Sequence, residues 1–397
     1  MLETLRRRGV IALLATSMLA RLPVAMSTVA LVRLVVDSGG DFGYAAVLTA
    51  AFALTSTVGQ PLLGRLIDVA GRRRLVLLLT GLVSAAALAV VAVTAIATPE
   101  LAVVAVAVAG LTTAPVEPIL RSLWPTLFTA GRPLTAAYSV DAAAQEVMFI
   151  GGPLVAAGGL ALLGPVANVV AMAVVGLVGV VGFATRAAVT AAPTPERREQ
   201  HGTPLASPAF RLLLVTVVTA ALPVGVLAIT ANAYAEYRGD SALGALAISL
   251  NAAGALAGAL LIARFPPTRA PRMLLRVVAV LLAVLYLPLA AADLPPLLWI
   301  AGAVVAGVSL PPFLTQVFSL TPELIDPAHA TEANAWVVST FGIGIAAGTL
   351  LAGIAVDILG IPTGILVAVV GAAALGLAGA ACAVPRRLVS PAPVEAG

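Results

Sequence analysis

The sequence predicts an all-α membrane protein: twelve transmembrane helices in two six-helix bundles, related by a pseudo-twofold axis along the membrane normal. Three observations predict it. The 397 residues are 61% hydrophobic and only 10% charged, with a mean hydropathy of +1.09; an average soluble domain is about a quarter charged. Apolar stretches of roughly 20 residues, the length that crosses a bilayer as a helix, recur along the whole chain. The first half of the chain repeats in the second. Hydrocarbon offers no partner to backbone N–H and C=O groups, so each stretch must pair its own as a helix. The alternation of polar and apolar residues that a membrane barrel needs is absent.

The first predicted span, 10–36, follows Arg6-Arg7-Arg8 and stops at Ser38-Gly39-Gly40-Asp41. Its start imitates a secretory signal, but Arg21-Leu22-Pro23 and further apolar residues to Val36 follow, so a retained span is expected. The second, 44–63, runs into a glycine- and arginine-rich loop; the third, 75–97, ends at Thr98-Pro99-Glu100. The fourth, 101–128, and fifth, 135–162, end at Gly131-Arg132-Pro133 and Gly164-Pro165, and the sixth is 166–185. The longest polar stretch follows, with Pro193, Pro195, Glu196, Arg197, Arg198, Glu199 and His201. It reads as a linker. The expected domains are therefore an N-terminal bundle (1–186), a cytoplasmic linker (187–209) and a C-terminal bundle (210–397). Spans seven and eight, 210–236 and 242–263, flank Gly239-Asp240; the ninth, 273–291, precedes Leu294-Pro295-Pro296. Spans 297–320, 331–356 and 363–384 complete the chain.

The repeat keeps a nearly constant offset. Leu22-Pro23-Val24 matches Leu222-Pro223-Val224 at an offset of 200, and Gly110, Pro115 and Pro125 match Gly307, Pro312 and Pro322 at 197. Thr135, Gly152 and Gly164 match Thr331, Gly348 and Gly360 at 196. Each set pairs the same ordinal helix of its half, and an even number of helices per repeat makes the repeats parallel. Twelve spans also put both termini on one side. All 22 basic residues are arginine, and all but Arg21, Arg33, Arg121 and Arg238 fall on that side. The positive-inside rule makes it cytoplasmic. With an alanine-, valine- and arginine-rich bacterial composition, the expected location is the cytoplasmic (inner) membrane of a bacterium, multi-pass, with both termini cytoplasmic.

The missing lysines exclude two chemistries. A phosphate-binding P-loop needs its lysine, and so does a Schiff base. Cys382 is the only cysteine, and His201 and His329 lie far apart in predicted loops. No metal site, cofactor or catalytic residue is expected, and the protein is read as no enzyme. A pI of 9.8 could suggest nucleic acid, but the arginines mark a membrane side instead, so no nucleic-acid partner is expected.

Between the second and third spans stands Gly64-Arg65-Leu66-Ile67-Asp68-Val69-Ala70-Gly71-Arg72-Arg73-Arg74. A glycine permits close helix approach, a second permits a tight turn, and an aspartate can cap a helix or pair with arginine. The stretch resembles the signature loop of the major facilitator superfamily, with Val69 where the family usually has a basic residue. The resemblance implies alternating access by two rocking bundles, with Gly64, Asp68, Gly71, Arg72 and Arg73 as a conformational latch. The corresponding loop of the second half, Gly258–Arg264, has lost the acid. Gly152-Pro153, Ala156-Ala157 and Gly158-Gly159 resemble the glycine-rich fifth-helix motif of antiporters. Segments around Pro115–Pro125 and Thr331–Trp336 are similar to a bacterial efflux-like branch.

Charged groups inside spans are costly and face a partner or a cavity. Arg21, Glu117 and Glu146 lie about 11 residues from the cytoplasmic ends, roughly 16 Å deep at the helical rise, and Arg121 and Asp141 lie level with each other. Glu117 and Arg121, four residues apart, share a helix face. Two positive and three negative charges leave one carboxylate over. Hence the proton-coupling candidates are Glu117, Glu146, Asp141, Arg21 and Arg121, with Glu146 or Glu117 carrying the proton. Substrate-contact candidates are Gln145, Asn232, Asn251, Gln316, Asn334 and Trp336. The expected function is secondary active transport of a small molecule, with protons as the driver and export by antiport as the direction. Proton symport or facilitated uptake is the alternative, and a non-transporting sensor of the same fold the rival of another class. The expected partners are a small-molecule substrate, protons and the lipid bilayer, and the expected state is a monomer.

Overall fold

A computed structural model describes residues 9–40, 42–129, 131–190, 203–240, 242–265 and 271–382. Arg6, Arg7, Arg8, Asp41, Arg197, Arg198, His201, Arg269, Arg386 and Arg387 lie outside the described residues, as does most of the predicted linker.

Twelve segments long and apolar enough to cross a bilayer are present among the described residues. In the first half they are built from α1 (Val10–Asp37), α2 (Phe42–Ala70), α3 (Arg73–Thr94), α4 (Pro99–Leu111), α5 (Val116–Leu127), α6 (Arg132–Leu163) and α7 (Pro165–Ala184), followed by the one-turn α8 (Ala187–Thr190). In the second they come from α9 (Pro208–Arg238), α10 (Ala242–Arg264), α11 (Pro271–Leu285), α12 (Pro296–Val308), α13 (Leu310–Leu324), α14 (Ala330–Leu359) and α15 (Ile361–Ala381). Proline opens α4, α7, α9 and α12, where its missing N–H is an unsatisfied position anyway. The Ser207 hydroxyl accepts from Phe210 N–H at 3.3 Å and caps α9. α1 runs unbroken through Arg21-Leu22-Pro23.

The fourth and tenth spans differ from the continuous helices expected. α4 stops at Leu111 and α5 begins at Val116, with Pro115 between them; α12 and α13 meet at Ser309, beside Pro311 and Pro312. Proline removes an i→i−4 bond and clashes with the preceding turn. At the first break the Gln60 side-chain amide donates to Thr113 O at 3.1 Å, so an orphan carbonyl finds a partner. The matched turn glycines also behave alike, since Gly164 has φ +79° and Gly360 +77°. Only glycine adopts such a backbone without a Cβ penalty.

Contacts divide the chain into two compact units. The first holds α1–α8 together with Ala330–Ser339, the start of α14. Its apolar core gathers Met26, Leu31, Leu34, Phe52, Leu88, Val106 and Met172. Gly152 of α6 approaches Ala25 of α1 so closely that a Cβ would strike its backbone. The second unit is built around Tyr234, Tyr286, Trp299 and Ile365, with Tyr234 stacked on Trp299 at 4.4 Å between ring centres. There Gly348 of α14 meets Leu222 of α9 in the same way. Large apolar side chains such as Leu54, Leu154, Leu162, Leu297 and Ile358 point outward, as the face of a membrane protein toward hydrocarbon requires.

Candidate functional site

Three helices of the first unit bring five polar side chains together. α1 supplies Arg21, α5 supplies Glu117 and Arg121, and α6 supplies Asp141 and Gln145. The break at Pro115 matters here, because it starts α5 within the span and puts Glu117 in a first helical turn. The partial positive charge of a helix N-terminus suits a carboxylate. Small residues on α6, among them Ala137, Ala142 and Ala143, are buried and let neighbouring backbones approach.

The four charged groups close a ring. Arg21 Nη2 lies 3.0 Å from Glu117 Oε2, and Arg21 Nη1 lies 3.3 Å from Asp141 Oδ1. Arg121 Nε donates to Asp141 Oδ2 at 2.8 Å, and Arg121 Nη1 pairs with Glu117 Oε1. Each carboxylate therefore divides its two oxygens between the two guanidiniums. Gln145 Oε1 accepts from Arg121 Nη2 at 3.1 Å and also from Arg21 Nη2. The ring sums to zero charge, which is what a low-dielectric interior tolerates.

Glu146 stands outside the ring. It is buried, at 5% exposure, and among the described residues it makes no ion pair and no hydrogen bond. One step along a helix turns a side chain by about 100°, so Glu146 faces elsewhere than its neighbour Gln145. The surplus carboxylate of the sequence count is this one.

The signature loop forms a second site in the same unit. Gly71 has φ +63° and turns the chain between α2 and α3. Asp68 is buried, and its Oδ2 accepts from the backbone N–H of Glu332 at 2.8 Å. That N–H belongs to the first turn of α14, whose N-cap residue His329 offers no side-chain cap. Asp68 thus satisfies an orphan donor of another helix and sits at its positive end. A Cβ on Gly64 would stand 3.0 Å from Glu332 Cα, so the glycine is what allows this approach. Ser339 Oγ donates to Thr57 O at 2.7 Å further along the same two helices. Arg73, half-buried, is the arginine whose charge acts on Asp68, whereas Arg72 is exposed.

The remaining candidates are not brought together. Asn232 is exposed and donates to Ala228 O on its own helix at 2.7 Å. Asn251 is buried between helices, donating to Ala303 O at 2.8 Å and to Tyr286 Oη at 3.4 Å. Gln316 is buried in α13 without a hydrogen bond among the described residues. Asn334 donates to Ala330 O at 2.7 Å, and Trp336 Nε1 to Glu332 Oε1 at 3.4 Å. In the fifth-span motif, Gly152 packs on Ala25 and Gly159 against the Asn168 side chain. Sequence reasoning missed Gln60 and Ser339, whose signal was a polar residue inside an apolar span, and Thr57, which contributes only its backbone carbonyl and left no signal.

The sequence matches the Major Facilitator Superfamily over residues 13–335, and the chain belongs to that family. It is a multi-pass membrane protein of the transporter fold. Compared with curated proteins, the sequence matches none. Among solved structures, it is similar to the human organic anion transporter MFSD10 (TETRAN), at 17% identity and a TM-score of 0.72, covering 95% of this chain and 99% of that one. A bacterial homologue of the iron transporter ferroportin, in an outward-facing state, gives 18% identity and a TM-score of 0.70 over 94% and 99%. The transporter FucP, in the outward conformation, gives 13% and 0.70 over 96% and 99%. At these identities the likeness concerns the fold.

Proposed function

We propose that the protein is a proton-coupled secondary transporter that moves a small molecule across a bacterial inner membrane by alternating access, with Glu146 carrying the proton. The observation that supports this most is the buried Glu146 carboxylate, left without a charge partner among the described residues beside a ring whose own charges balance. A charge buried without a partner is costly. Taking up and releasing a proton as water gains and loses access is then the least costly cycle open to it. A charge crossing the membrane potential gains about 2.3 kcal/mol per 100 mV, enough to drive modest accumulation.

In this reading the bundles are the expected domains, 1–186 and 210–397, and the protein works as a monomer with both termini in the cytoplasm. Asp68, Gly64 and Arg73 hold the start of α14 and release it during the cycle, while Gly71 shapes the turn and Arg72 stays at its exposed edge. Export by antiport remains the direction favoured by an apolar composition suited to amphipathic cargo. Symport has one observation on its side: Glu117 neutralises both arginines, so a proton on Glu117 would free positive charge and load together with an anion.

The test is reconstitution of the purified protein in liposomes with an internal pH dye and a substrate panel. A substrate-dependent proton flux that Glu146→Gln abolishes is the expected result, and its sign separates antiport from symport. Substrate counterflow with no proton movement would refute the coupling. Proton flux undiminished in Glu146→Gln would refute the assignment.

A further inference from the structure

The two carboxylates of the ring are not equivalent. Asp141 is sealed, with 2% of its side chain exposed, and Glu117 is the most open member at 16%. Arg121 and Arg21 lie between them, at 4% and 11%. The arginines thus have one fixed counter-ion beneath them and one on the accessible side. Glu117 holds that side in a bridging manner, one oxygen on each guanidinium. A free carboxylate can bridge two arginines in the same way, through one charge-assisted hydrogen bond from each guanidinium. Gln145 Oε1 takes further N–H groups of the same two arginines and holds their planes in place.

We infer that Arg21 and Arg121 bind an anionic group of the substrate, a carboxylate of a small organic acid, in the place that Glu117 occupies. The inference rests on the transporter reading above and names its substrate class. Glu117 is then a resident stand-in: it keeps the arginine pair neutral while no substrate is bound, and it must swing away or take a proton for the substrate to enter. Charge is conserved in that exchange, because one carboxylate replaces another beside Asp141. A neutral substrate would leave the arginines with Asp141 alone and one positive charge uncompensated, and a cationic one would leave two, which the buried site opposes.

The experiment uses the full-length protein in lipid nanodiscs in chloride-free buffer, titrated with benzoate and, as the neutral isostere, benzamide. Glu117→Gln removes the competing charge and keeps the side-chain volume. It is expected to bind benzoate at least about tenfold more tightly than the unsubstituted protein and to ignore benzamide. Adding Arg121→Lys to Glu117→Gln is expected to abolish the gain. If Glu117→Gln does not fold, Glu117→Asp, too short to bridge both arginines, is expected to give a smaller gain of the same sign. Unchanged benzoate affinity in the folded variants, or an equal response to benzamide, would overturn the inference. Because this measures binding alone, its failure alongside an intact proton flux in liposomes removes the substrate class and leaves the coupling. The reverse result removes the coupling and leaves the substrate class.

Discussion

At the residue scale, position on the helix separates groups of the same chemistry. Glu117, Asp141 and Glu146 are all carboxylates inside spans, yet two serve arginines and one does not. Removing one partner of a buried ion pair costs about 3–5 kcal/mol, because the other charge stays buried. Asp141→Asn is therefore expected to lower the melting temperature of the purified protein markedly, and a melt unchanged from the unsubstituted protein would count against the ring as drawn. Glu146→Gln removes no pair, so its melt should shift little while proton-coupled transport is lost. A strongly destabilised Glu146→Gln would instead give that residue a structural partner. The types and rough depths of these residues were legible in the sequence, as was the i,i+4 pairing of Glu117 and Arg121. That Gln145 belongs to the ring and Glu146 does not was illegible. The rotation of α6 about its axis is set by packing on α1, and periodicity alone leaves it open.

At the scale of elements, the contact between the end of α2 and the start of α14 joins residues 264 positions apart. A carboxylate capping a helix N-terminus contributes about 0.5–2 kcal/mol, so Asp68→Ala is expected to speed amide hydrogen exchange at residues 330–334 by roughly tenfold, the equivalent of about 1.4 kcal/mol. Exchange unaltered there would remove the capping role. Gly64→Leu should have a larger effect, since its side chain would enter the space of Glu332 and Ala335. Slowed transport at normal expression is the expected readout; wild-type transport rates would mean the helices have room to part. The loop itself was readable from its glycines and aspartate, but its partner was not, because nothing in residues 64–74 specifies the Glu332 N–H. The break between α4 and α5 was half readable. Pro115 and its match Pro312 flagged a special position, while the continuous apolar run 101–128 concealed an interruption of the helix.

At the scale of the whole molecule, the arginine distribution predicts which ends of the spans face the cytoplasm. With Cys382→Ser as background, single cysteines can be placed at Arg74, on the arginine-rich side, and at Glu100, on the other. A membrane-impermeant maleimide is expected to label the Glu100→Cys variant in intact cells and the Arg74→Cys variant only after lysis. Labelling in the opposite order would invert the topology. Composition alone excluded P-loop ATP hydrolysis and Schiff-base chemistry, since there is no lysine to perform either.

The sequence by itself determined the membrane setting, the number of spans, the repeat and the family, because hydrocarbon imposes length and apolarity on each span without regard to its neighbours. Only the tertiary structure decided which charges meet, which carboxylate is left over and what Asp68 touches. Those outcomes depend on helix rotation, on the break at Pro115 and on contacts between distant segments, and each is fixed by packing across helices rather than by order along the chain.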